Sequence, residues 1–360
     1  MSLDYENVTF LLINNPLLNT YYSLYVFYAK ITLIENEERK LDSETNLNLE
    51  EISQQCGLYN VSNAETVIAN IENLENNYSQ NDLVIIYNYM LSHAASPEII
   101  MQLIRCVDKY RDKSSLEYLV DILLLKNASY SDSDTKEKYN NVRVMCAKAI
   151  ANQKNTDVVS SLLYCMNNKD ENYRVRLACA DALGRIGDRF AVAPLIEVAK
   201  DEDEKSVYLR ESAVSALGLL GDTRAIDPIL GILETKQGIM DKFSFLKERA
   251  IEALIKMGFC NNERVFRALK NSLSDESTQV RINAIEALME SEHPKAFETI
   301  KNCLDTDSDN EVKKNAMIAL YNMSDRTILD EIIKSPNYSD YLKMEAVSIL
   351  EEYENEQEKE

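Results

Sequence analysis

Few residues in this chain have the types and spacing that catalysis demands. The two histidines, His93 and His293, stand 200 residues apart. Zinc hydrolysis of the HExxH kind needs two imidazoles on one helix face, and neither histidine belongs to such a pattern. Glu292 beside His293 is an isolated acid and imidazole. No GxxxxGK[ST] or GxGxxG run is present, and Gly57 is the only glycine before Gly184, so no loop is free to wrap a phosphate. Acids are abundant, but no spacing marks out a working pair. No catalytic residue, metal ligand or cofactor is expected.

The seven cysteines, Cys56, Cys106, Cys146, Cys165, Cys179, Cys260 and Cys303, are odd in number and form no CxxC pair. That usage fits a reducing cytoplasm and argues against a zinc site. The opening MSLDYENVTF carries acids where a secretory leader has bases, so no signal peptide is expected. From Leu17 to Ile34 the chain is apolar and aromatic but broken by Asn19, Thr20, Ser23 and Lys30, too often for a membrane span.

The charges that do recur are spaced for structure. Bases stand at Arg143, Arg176, Arg210, Lys247, Arg281, Lys313 and Lys343, separated by 33, 34, 37, 34, 32 and 30 residues. Each sits in the same cassette, as in VRLACADAL and VRINAIEAL, with small or aliphatic residues three, six and seven places after the base. Those offsets form one stripe of a 3.6-residue helix. Small residues in the stripe leave room for a second helix along the seam. Six places before each base comes Glu137, Asp170, Glu204, Asp241, Asp275 or Asp307, with Asn337 in the last copy. Six helical steps turn through roughly 240°, so acid and base cannot meet on one helix. The acid belongs in the preceding turn, where it either caps the helix or reaches the base of a neighbouring repeat. The expected ladder comprises Asp170, Arg176, Glu204, Arg210, Asp241, Lys247, Asp275, Arg281, Asp307 and Lys313.

A period near 34 residues with helical cassettes means a stacked repeat protein. The array resembles the Asp/Arg ladder of HEAT repeats, most strongly over residues 140–350. Two segments, GDRFAVAPLIEVA from Gly187 and GDTRAIDPILGIL from Gly221, resemble the bacterial HEAT-like repeats first described in phycobilin lyases. In them the glycine can end one helix in a left-handed conformation, while Pro194 or Pro228 suits the first turn of the next. The resemblance implies an all-α solenoid, a right-handed superhelix of HEAT-like hairpins. The want of catalytic chemistry leaves a binding surface and the role of a protein-binding adaptor or assembly factor; the resemblance implies the alternative, a phycobilin lyase or lyase-like chaperone that attaches a bilin to a phycobiliprotein cysteine. The iron-binding HEAT hydroxylases use several His-Glu pairs that this chain lacks.

Residues 1–95 fit the cassette poorly and read as an irregular helical cap or docking region, with helices over 17–37, 49–56, 64–76 and 81–93. Thirteen of the 20 tyrosines precede residue 140. A degenerate copy begins at Ser96, where Ile100 replaces the base. The array is expected over 96–350, and EEYENEQEKE, with six glutamates in ten residues, as a flexible acidic tail over 351–360.

Acids outnumber bases 60 to 39, a net charge of −21. Nucleic-acid binding needs the opposite surface, and no membrane insertion is expected. A protein partner is expected, and a basic one would match the charge. Between the buried cassette positions, the residues expected to face the groove are Asp181, Arg185, Ser215, Arg249, Glu252, Lys256, Asn283, Glu286, Glu290, Asn315 and Asn322. The insertion beginning at Lys236 adds Ile239, Met240, Phe243 and Phe245 as a second contact site, since loops on rigid scaffolds often carry function.

Overall fold

The computed structural model describes residues 47–59, 63–124, 132–204, 206–234, 244–258, 262–324 and 327–357, the last six as backbone alone. The expected helix over 17–37 and the insertion residues Ile239, Met240, Asp241 and Phe243 lie outside the described residues, as does Cys260. The chain divides into two compact units, up to Ile99 and from Ile100 onward.

In the first unit, α1 (Leu49–Cys56), α2 (Ala64–Asn73) and α3 (Gln80–His93) each begin on a side-chain cap, Asn48, Asn63 and Ser79 respectively. Gly57, at φ 79°, closes α1 in the left-handed conformation. Leu49, Val67, Ile71, Ile86 and Met90 are buried around Tyr87, whose hydroxyl donates to the Ile71 carbonyl. His93 is spent on local contacts, stacked on Tyr89 at 4.2 Å and bonded through Nδ1 to the Tyr89 carbonyl.

Helix α4 (Pro97–Tyr110) carries the chain from one unit into the other, with Pro97 its first residue. Beyond it the helices alternate. The cassettes form α6 (Ser133–Gln153), α8 (Tyr173–Ile186), α10 (Val207–Leu220), α12 (Ser244–Met257), α14 (Thr278–Glu290), α16 (Asn310–Met323) and α18 (Asp340–Gln357). Their partners are α5 (Leu116–Leu124), α7 (Val159–Asn167), α9 (Val192–Lys200), α11 (Ile226–Glu234), α13 (Glu263–Ser272), α15 (Ala296–Thr306) and α17 (Thr327–Lys334). Each partner packs on the cassette helix that follows it, and consecutive cassette helices pack on one another. No strand occurs among the described residues. This is an all-α solenoid.

The punctuation follows the sequence. Gly187 (φ 86°) and Gly221 (φ 61°) end α8 and α10 in the left-handed region. Asp188 and Asp222 then accept backbone N–H groups of the short 3-10 turns leading into α9 and α11, whose first turns hold Pro194 and Pro228. One expectation fails at the far end. The segment from 351, expected to be a flexible tail, continues α18 to Gln357, because glutamate is a good helix former and needs no buried face to extend an existing helix.

Arg143 and Arg176 each join three segments. The Nε of Arg143, Arg176 and Arg210 donates to the carbonyls of Leu123, Met166 and Ala199, near the C-terminal ends of the preceding partner helices, at 2.7, 2.7 and 3.0 Å. A cation there also meets the negative end of the helix dipole. The outer nitrogens reach forward to an acid in the turn before the next cassette: Arg143 to Glu171 at 2.6 Å, Arg176 to Glu204 at 2.8 Å. Lys247 reaches Asp275 at 2.5 Å and Arg281 reaches Asp307 at 2.9 Å. The acids also accept backbone N–H groups in their own turns, as Glu204 does from Ser206 and Asp275 from Ser277. The neighbouring-repeat arrangement is therefore the one that forms, with two corrections. Asp170 is exposed, and the next residue, Glu171, takes Arg143 because the turn places it one position nearer the helix. Glu137 pairs with exposed Arg174 instead of a ladder base. The expected acid for Arg210, Asp241, lies outside the described residues, and in the sixth copy Lys314, one place after the base, pairs with Glu345 at 2.8 Å.

Spacing between cassette helices is set eight residues after the base. A Cβ on Gly184 would lie 2.7 Å from the Ala216 Cα, and one on Gly218 would lie 2.8 Å from the Ala253 Cα. The backbones of α8, α10 and α12 thus approach to contact, which any larger residue would forbid. At the same register α12 and α14 carry Ile255 and Met289, and their junctions with the next cassette helices are looser.

Candidate functional site on the exposed cassette stripe

With the stripe three, six and seven places after the base buried, the opposite side of each cassette helix is exposed. At 100° per residue, positions −2, +1, +2, +5 and +9 from the base fall within one exposed sector. Of the expected groove residues, Asp181, Arg185, Arg249, Lys256, Glu286, Glu290 and Asn322 are exposed, and Ser215, Glu252 and Asn315 half-buried. Asn283 is the exception. It is buried at 9% exposure and its Oδ1 accepts from Gln279, so it is packing rather than surface.

Several stripe residues are already bonded across repeats. Asn152 donates to both carboxylate oxygens of Asp108 at 2.8 and 2.9 Å and accepts from Arg185 at 2.6 Å. Asp181 accepts from Ser212 on the next cassette helix, and burial of its carboxyl end raises its pKa despite that bond. Arg249 pairs with Glu252 one turn on, at 2.6 Å.

The stripe also holds residues that the sequence reading passed over. Tyr208 and Leu219 on α10 are exposed at 65% and 52%. Phe245, expected as part of the insertion, is exposed in the first turn of α12. Glu211 and Glu248, one place after their bases, are half-buried, and burial raises both carboxyls above their ordinary range. For Tyr208, Glu211 and Glu248 the signal was in the register, since the exposed sector extends one turn N-terminal to the expected groove positions; Leu219 shares the register of Arg185 and Lys256.

Other reactive groups are committed to structure. Cys56, Cys106, Cys146, Cys165, Cys179 and Cys303 are buried free thiols. Burial pushes the Cys146 thiol up and takes Cys303 to about 11, so neither is a thiolate at neutral pH. His293 stacks on Phe266 with centroids 3.8 Å apart, accepts the Lys295 N–H through Nδ1 and meets Glu263 through Nε2. An open cleft of about 740 Å3 between α13 and α15 is lined by Lys270, Thr299, Asn302 and Cys303 together with the ladder residues Asp275, Arg281 and Asp307. There Arg281 pairs with Asp307, and Asp275 with Lys247. Among the described residues, no cluster of three or more His, Cys, Asp or Glu could hold a metal ion, and no helix is long and apolar enough to cross a membrane.

Comparison with known proteins agrees with this architecture. The family model for PBS lyase HEAT-like repeats matches residues 209–235. Among solved structures, the complex of CpcE and CpcF of phycocyanin lyase from Nostoc sp. PCC7120 is similar at 18% identity and a TM-score of 0.39, over 66% of this chain and 87% of that one. Human deoxyhypusine hydroxylase in complex with glycerol is similar at 16% identity and a TM-score of 0.31, over 76% and 95%. A search of curated proteins finds no significant match. The family model for HEAT repeats matches residues 135–207, 236–321 and 266–351, more than half of the sequence, and the chain belongs to the HEAT-repeat family.

Proposed function

We propose that this protein is a non-catalytic interaction scaffold, an adaptor or assembly factor that holds a partner protein against the exposed stripe of its cassette helices. One observation carries the reading. The repeated bases Arg143, Arg176, Lys247 and Arg281 are consumed by ladder bonds, whereas the stripe residues differ from helix to helix. A regular interior with a varied exposed face is what a stacked repeat offers a protein partner. The buried free thiols suit a cytoplasmic setting. The test is affinity capture with the full chain beside a variant carrying Asp181→Lys, Glu252→Lys and Glu286→Lys. A partner retained by the parent and lost by the variant supports the reading; equal retention by both rejects it.

The match of residues 209–235 to the PBS lyase HEAT-like repeat favours a second reading, a lyase-like chaperone that delivers a bilin to a phycobiliprotein cysteine. Co-expression with a bilin pathway and phycobiliprotein subunits decides it. Covalent colour in the subunit is the expected result, and none would remove the reading.

A further inference from the structure

Exposed aromatic residues cluster at one end of neighbouring cassette helices. Tyr173, Tyr208 and Phe245 stand in the first turns of α8, α10 and α12, which pack side by side. Tyr208 and Phe245 share a register, two places before the ladder base, and three places further on stand Glu211 and Glu248. Residues three apart are neighbours on a helix surface. Helices α10 and α12 therefore present the same aromatic and carboxylate couple twice, on adjacent elements. Neither carboxylate has an ion pair among the described residues, and Arg249, the nearby cation, already binds Glu252 at 2.6 Å. A half-buried acid whose nearby cation is already paired elsewhere is costly to fold around. Large apolar surfaces left in water beside it add to that cost and mark a contact site. The chain as a whole carries −21, so the missing complement is cationic.

We propose that the α10–α12 face binds a short basic segment of a partner protein. Its lysine or arginine side chains lie over Tyr208 and Phe245 and ion-pair with Glu211 and Glu248, while an apolar neighbour rests on Leu219. An aromatic face attracts a cation through its quadrupole, and a carboxylate one turn away adds a charge-assisted hydrogen bond. This rests on the scaffold reading and names the partner's chemistry.

The experiment selects from a random dodecapeptide display library on the full chain, then measures the enriched peptides by fluorescence anisotropy. Enriched peptides should combine lysine or arginine with apolar neighbours. Glu211→Gln with Glu248→Gln, and separately Tyr208→Ala with Phe245→Ala, should each weaken binding roughly tenfold, against less than about twofold for Glu197→Gln with Glu298→Gln, exposed acids on the partner helices α9 and α15. The proposal is overturned by no enrichment, by enriched peptides without basic residues, or by equal loss in the Glu197/Glu298 control, which would show attraction to net charge alone. If a partner cross-links elsewhere on the stripe while no basic peptide is selected, the scaffold reading stands and this inference falls.

Discussion

At the residue scale, the most regular side chains are structural, and their removal should be felt as stability. Arg176 and Glu204 are about as buried as core residues, at 5% and 6% side-chain exposure, and Arg176 also holds the Met166 carbonyl. Arg176→Ala leaves a buried acid and a bare helix end, so denaturant unfolding should show a loss of about 3–5 kcal/mol. Lys169→Ala removes a pair whose lysine is exposed and should leave the unfolding midpoint close to the parent's. A titration effect belongs here too. Asp222 is held down to about 2 by the Arg224 guanidinium and backbone N–H. Because the folded pKa lies below the ordinary value of 3.8, its contribution is complete above that value and is lost as pH falls through about 2. Denaturant titrations of the parent and Asp222→Asn should differ most near neutral pH and converge toward pH 2.

At the element scale, the step between helices depends on one register position. Gly184→Ala and Gly218→Ala would push a Cβ into the Ala216 and Ala253 backbones, and overpacking of this kind costs about 1–3 kcal/mol. Gly231, inside α11, has nothing within 4 Å of the same Cβ. Gly231→Ala should raise stability by about 0.5–1 kcal/mol, the difference in helix propensity. The same substitution is thus expected to change sign with position, and thermal melts of the three variants measure it. The helices themselves were legible in sequence because their stripe repeats with the helical period and their ends carry glycine and proline. The partner of Arg143 was not, because a turn can shift an acid by one residue, as from Asp170 to Glu171, without changing the pattern. Asn283 was misread for a related reason: its bond to Gln279 and its burial depend on packing that spacing does not encode.

At the scale of the whole molecule, a solenoid separates what holds it together from what it displays. The ladder, the small residues between cassette helices and the buried cysteines account for the regular part of the sequence. What is left exposed on the cassette side is a varied strip, of which Asp181, Ser215, Glu252 and Glu286 were readable from the helical period. Tyr208, Glu211 and Glu248 were missed because the reading began two places after the base, whereas Leu219 shares the register of Arg185 and Lys256 and was passed over as an apolar residue. Whether this strip holds a partner protein, as proposed, is decided by placing a photoreactive benzoylphenylalanine at Ser215 on α10, and separately at exposed Ala193 on α9, then irradiating the full chain in its native extract. A discrete cross-linked protein from position 215 and none from position 193 is the expected result; the same product from both positions, a product from 193 alone, or none from either would refute a partner on the strip.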